Sequence, residues 1–138
     1  MVFNTNKEKG NARLSMAIAY FGSNGYTVSI PLNDTQDYDL IVDDGCEVKK
    51  VQVKSTNRLQ KSGSYACSLK STSGTSRKIC GLVTESSADL LFCLCGDMTM
   101  YLIPINEIRT KTDIYLMKIK NHKANKDVLD TSKYIVTL

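Results

Sequence analysis

Asp39, Gln52 and Lys54 are the residues whose types and spacing could do chemistry together. Tyr38-Asp39-Leu40-Ile41-Val42 reads as a strand, Asp44-Gly45 as a hairpin turn, and Glu47 to Ser55 as the return strand. Neighbours on a strand alternate faces, so Gln52 and Lys54 share one face while Val51 and Val53 take the other. Asp39, on the preceding strand, can stand beside them. A carboxylate, an amide oxygen and an ammonium would then converge on a small volume. Such a set suits metal-assisted phosphodiester cleavage. Mg²⁺ prefers oxygen ligands and keeps several waters, acidifies a bound water and neutralises phosphate charge. A lysine beside it orients the attacking water and stabilises anionic charge. On spacing alone, a turn-proximal acid, an edge-strand amide and a surface lysine are the better account of the same three residues.

Other chemistries are less well supplied. Five cysteines (Cys46, Cys67, Cys80, Cys93, Cys95) contain no C-x-x-C pair, and His122 is the only histidine, so no structural zinc set is offered. Cys93 and Cys95 fall on one face of an apolar strand and read as buried free thiols rather than a redox pair. With one histidine, acid–base work falls to carboxylates, amides and lysines.

The charge distribution points to a polyanion. Net charge is +4, and no acid lies between Glu47 and Glu85, a span that holds Lys49, Lys50, Lys54, Arg58, Lys61, Lys70, Arg77 and Lys78 among many Ser and Thr residues. Ammonium groups and hydroxyls together suit phosphate oxygens. A second acid-free patch carries Lys118, Lys120, Lys123 and Lys126. The apolar runs 88–95 and 100–105 are far shorter than the roughly 18–20 residues that span a bilayer. No charged segment with an apolar signal core opens the chain at Met1. The expectation is a cytoplasmic protein without a membrane partner, nucleoid-associated if bacterial or phage-encoded.

The elements that must position these groups are legible in outline. Leu14, Ala17, Ile18 and Phe21 form the apolar stripe of a helix over 6–21, with Lys7, Asn11 and Ser15 on its other faces. Thr5 and Glu8 have capping-box spacing, and Gly22 to Gly25 ends the helix. Strands follow at 26–30, 38–42, 47–55, 65–70, 90–95 and 100–103, with a flexible 71–76 containing Gly74, a short helix over 77–88, a partly helical tail and a final strand at 134–138. At 138 residues the chain reads as one α/β domain, 1–138, a mixed central sheet flanked by helices.

The series Gly25-Tyr26…Pro31-Leu32…Tyr38-Asp39-Leu40…Val51-Gln52-Val53-Lys54, preceded by the helix, resembles the PD-(D/E)XK nuclease superfamily. It is nearest to the group I intron homing endonucleases and more distantly similar to archaeal Holliday junction resolvases. The match covers roughly residues 6–56, with weaker support from Tyr101-Leu102-Ile103-Pro104. The resemblance implies the PD-(D/E)XK (restriction endonuclease-like) core and a Mg²⁺-dependent DNA endonuclease, with Mn²⁺ as a substitute ion. It makes Asp39 and Gln52 the metal ligands and Lys54 the catalytic lysine. Glu8 is the acid of the first helix, catalytic or merely its cap; the family's helix glutamates tend to lie deeper, where this chain has Asn11, Arg13 and Ser15. Tyr38-Asp39 replaces the usual proline-aspartate pair, and Gln52 replaces the usual second carboxylate, which weakens attraction for divalent ions. Lys7, Asn11, Arg58, Lys61, Tyr65, Lys70, Arg77 and Lys78 are the candidate contacts to double-stranded DNA. Cutting both strands needs two active sites, so a homodimer or higher homo-oligomer is expected, with strands 88–95 or 100–105 as its interface. A junction-selective nuclease and a non-catalytic DNA-binding module are the rival readings.

Overall fold

The computed structural model describes residues 5–33, 35–70, 83–120 and 128–138. Arg77, Lys78, Gly74, Cys80, His122, Lys123, Lys126 and the 77–82 part of the expected short helix lie outside the described residues.

Helix α1 spans Asn6–Ser23, and its start is the expected capping box. Thr5 Oγ1 accepts from Glu8 N–H at 3.1 Å, while Glu8 Oε2 accepts from Thr5 N–H at 2.9 Å. Two of the backbone donors that a helix start leaves without partners are thereby satisfied. Gly25, at φ +82°, turns the chain into β1 (Thr27–Ser29). β2 (Leu40–Asp43) and β3 (Val48–Thr56) form the hairpin. Its turn is held by Asp44 Oδ1, which accepts from Cys46 and Glu47 N–H at 2.8 Å each, and by Gly45 at φ +88°. The order continues with β4 (Tyr65–Ser68), β5 (Leu90–Cys95), β6 (Met100–Pro104), β7 (Asp113–Leu116) and β8 (Ile135–Val136).

Among the described residues, six strands make a mixed sheet in the order β1-β2-β3-β5-β6-β8, in which only β3 and β5 run parallel. β4 and β7 pair separately as a two-stranded antiparallel sheet. The α/β class with a mixed central sheet therefore stands. Alternation divides the core. Phe92 and Leu94 of β5 join Leu40, Val42, Val51 and Val53 beneath Ala17 and Phe21 of α1. Leu91, Cys93 and Cys95 face the other way, onto Cys67 and Leu69 and onto Ile114 and Leu116 of β7. Among the described residues α1 is the one α-helix, and the second face is covered by β4–β7 and short 3₁₀ turns.

Two expectations change. The runs 88–95 and 100–105 are not exposed interface strands: β5 lies between β3 and β6, β6 lies between β5 and β8, and both bury their apolar residues. Over residues 83–88 the expected short helix is a 3₁₀ turn, Val83–Glu85. The mixed tail holds two 3₁₀ turns, Ile105–Glu107 and Thr131–Tyr134, and a strand, β7, whose Ile114 and Leu116 point inward and Tyr115 outward. The thiols do behave as read, with Cys67, Cys93 and Cys95 buried and free.

The capping box sets a measurable quantity. Thr5→Ala is expected to lower the unfolding free energy by about 1 kcal/mol in urea titration. Glu8→Gln, which keeps an acceptor at the same place, should hold the parent's midpoint within the error of the same titration.

Candidate active site

β3 carries the chemistry because its period of two serves two environments. Val51 and Val53 are 0% and 1% exposed under α1, so Gln52 and Lys54 must face the opposite side. The β2–β3 register pairs Leu40 with Val51, and the next residue back, Asp39, continues it by donating its N–H to Val51 O at 2.8 Å. Asp39 therefore stands across from Gln52, half-buried beside it. Its Oδ2 accepts from Gln52 Nε2 at 2.7 Å and from Val53 N–H at 2.7 Å. The expected acid–amide pair is in contact.

Lys54 lies one period further on, alongside Cys93 in the β3–β5 register. Its Nζ donates to the backbone carbonyl of Lys70, just past β4, at 2.7 Å. The lysine is thus anchored between the main sheet and the small one.

Burial sets the electrostatics. It raises the Asp39 pKa above the ordinary carboxylate value, outweighing the Val53 N–H and the positive charges of Arg13 and Lys54, all of which pull it down. Burial also lowers the Lys54 pKa, and Arg13 adds to that, against the opposing pull of the Cys67 and Cys93 thiols and of Asp39. Each partner is desolvated more than the other compensates, a condition typical of functional groups rather than surface pairs.

The donor set fits a hard divalent ion. Both hydrogen bonds to Asp39 among the described residues use Oδ2, which leaves Oδ1 for a cation, and Gln52 can contribute its carbonyl oxygen. No group of three or more His, Cys, Asp or Glu side chains among the described residues could hold a metal alone. Mg²⁺ typically uses one or two carboxylates and takes its other ligands from water and substrate phosphate.

Residues 4–136 match the family model described as PD-(D/E)XK endonuclease. The chain belongs to that family. The fold is also that of a bacterial homing endonuclease, I-Ssp6803I, with a TM-score of 0.74 and 24% identity, over 96% of this chain and 89% of that one. No curated protein matches the chain. No described helix of this PD-(D/E)XK endonuclease is long and apolar enough to cross a membrane.

The remaining sequence candidates are spread around this centre. Glu8 is exposed at the helix start, where its carboxylate serves the capping box. Lys7 and Asn11 are exposed on α1, and Lys61 and Lys70 are exposed around β4. Arg58 makes two hydrogen bonds to the Asp113 carboxylate, at 3.2 and 3.1 Å, so its charge is balanced. Lys118 is likewise paired, with Asp97 at 2.8 Å. Tyr65 packs against the core cluster.

Sequence reasoning missed two contributors. Arg13 acts on both Asp39 and Lys54. The spacing Arg13-Ala17-Phe21 would have put it on the buried stripe of α1. The Lys70 carbonyl had no signal, because a backbone acceptor is identified only by the fold.

Asp39→Asn tests the burial argument. A folded-state pKa raised above the unfolded value favours folding at low pH, and that advantage is lost as pH rises and the buried carboxyl ionises. The variant is therefore expected to be more stable than the parent at about pH 7. Below the ordinary value of 3.8, where Asp39 is protonated in both states, the difference should vanish. Urea melts across that range measure it.

Proposed function

We propose that this chain is a Mg²⁺-dependent DNA endonuclease of the homing type, hydrolysing phosphodiester bonds at a specific site in double-stranded DNA. One observation carries the reading: Asp39 and Gln52 touch at 2.7 Å on the face of β3 that also bears Lys54, in a chain of the PD-(D/E)XK endonuclease family. Mn²⁺ is the natural substitute for Mg²⁺ with such oxygen ligands.

Asp39, through Oδ1, and Gln52, through its amide oxygen, would hold the ion. The ion, when bound, supplies an acidified water and charge neutralisation on the phosphate. Lys54 orients that water or stabilises charge on the phosphate oxygens, and for either role its Nζ exchanges the Lys70 carbonyl for substrate. A lowered pKa makes this amine a readier proton acceptor than a surface lysine. Gln52 brings no formal charge, so ion affinity rests on one carboxylate and the phosphate. Exposed Lys7, Asn11, Lys61 and Lys70 supply duplex contacts, with Arg77 and Lys78 as further candidates. Two copies related by symmetry would cut the two strands.

Incubating the protein with a randomised duplex library plus Mg²⁺, then sequencing the new ends, tests activity and specificity together. A defined cut site is expected. Preferential cleavage of a four-way junction over plain duplex would favour the junction-selective reading instead. Lys54→Ala should lower cleavage by at least about a hundredfold. An unaltered nicking rate in that variant would sink the catalytic role. Gln52→Glu adds a ligand charge, so half-maximal cleavage should need less Mg²⁺; an unchanged Mg²⁺ titration would count against direct ligation by residue 52.

A further inference from the structure

Two residues before Asp39, the Asp37 carboxylate grips a serine from a distant part of the chain. Oδ1 accepts from Ser87 Oγ–H at 2.5 Å, and Oδ2 accepts from Ser87 N–H at 2.9 Å. The serine is itself well fixed. Ser86 Oγ bonds Val83 O at 2.6 Å, and Ala88 is buried. Asp89 is tied to β3 in both directions: its N–H donates to Lys50 O at 2.8 Å, and its Oδ2 accepts from Lys50 N–H at 2.8 Å. Asp89 O also accepts from Ile105 N–H at 2.9 Å. The segment entering β5 is thus a rigid post attached to β3 and to the end of β6.

Asp39 is held from the other side by β3, through its N–H to Val51 O and its Oδ2 to Gln52 and Val53. Between Asp37 and Asp39 in the chain, Tyr38 packs against the core cluster, with Lys50 Nζ 5.1 Å from its ring centroid. Two residues span at most about 7 Å. Fixing Asp37 therefore leaves the Asp39 carboxylate little room to leave β3.

We propose that Asp37 is a positioning residue: its clamp on Ser87 holds the Asp39 carboxylate against Gln52 and Val53, ready to take a metal ion. The effect on turnover rests on the nuclease reading above; the effect on Asp39 does not. Val53 N–H is a built-in reporter, because it donates to the Asp39 side chain.

The test compares Asp37→Ala, Ser87→Ala and Ser87→Thr with the parent, by NMR amide exchange and by single-turnover cleavage in Mg²⁺. In Asp37→Ala, Val53 exchange should accelerate about tenfold while Phe92 and Leu94 hold their rates, which corresponds to roughly 1.4 kcal/mol of local protection. Cleavage should fall by a similar factor with duplex affinity in Ca²⁺ unchanged, the signature of lost positioning rather than lost binding. Ser87→Ala should show a smaller effect of the same kind, and Ser87→Thr, which keeps the hydroxyl, should restore parent behaviour. Parent-like Val53 exchange in Asp37→Ala overturns the proposal. Should that variant fail to fold, Ser87→Ala decides, since it removes only one of the two bonds. A parent that cuts no DNA would defeat the nuclease reading, and Val53 exchange would still decide this one.

Discussion

The shared use of one carboxylate oxygen, Asp39 Oδ2, is the constraint on which the site depends. Gln52 Nε2 and Val53 N–H both donate to it at 2.7 Å, so one acid locks a side chain and a main chain of β3 at once. Hydrogen bonds to an ionised acceptor are among the stronger ones available to a protein. They do not fully offset desolvation here, and the carboxyl stays above its ordinary pKa.

The scaffold keeps that tension from relaxing. β5 is buried on both faces and pairs in parallel with β3 along its length from Val51 to Thr56. β3 cannot slip without moving Gln52 and Lys54 to the α1 side and Val51 and Val53 out of it. Lys54 is desolvated by the same architecture, since its neighbour on β5 is Cys93 and its hydrogen-bond partner lies beyond β4. The positive charge of Arg13 opposes that of Lys54 and supports that of Asp39.

Charge read along the chain and charge read in space differ. Residues 48–84 and 118–126 contain no acid, yet Arg58 finds Asp113 and Lys118 finds Asp97, partners 55 and 21 positions away. A basic stretch in sequence is therefore only partly a basic surface. Among the described residues, Lys61 and Lys70 enter no ion pair, and they flank the small sheet next to Lys54.

Local order alone sufficed for α1 with its cap, the Asp44-Gly45 hairpin, the two faces of β3 and the contact of Asp39 with Gln52. Each is a matter of periodicity or turn chemistry within about twenty residues, and a hairpin is a local contact. Folding decided what depends on distant partners. β7 offers too few alternations to be read as a strand until it pairs with β4, some fifty positions earlier. The central placement of β5 puts an apolar run, expected as a surface, in the middle of the core. The Lys70 carbonyl, the Arg13 charge and the Asp37–Ser87 clamp belong to the same class. Their roles come from who stands next to them, and adjacency across a sheet is set by topology, which no local pattern encodes.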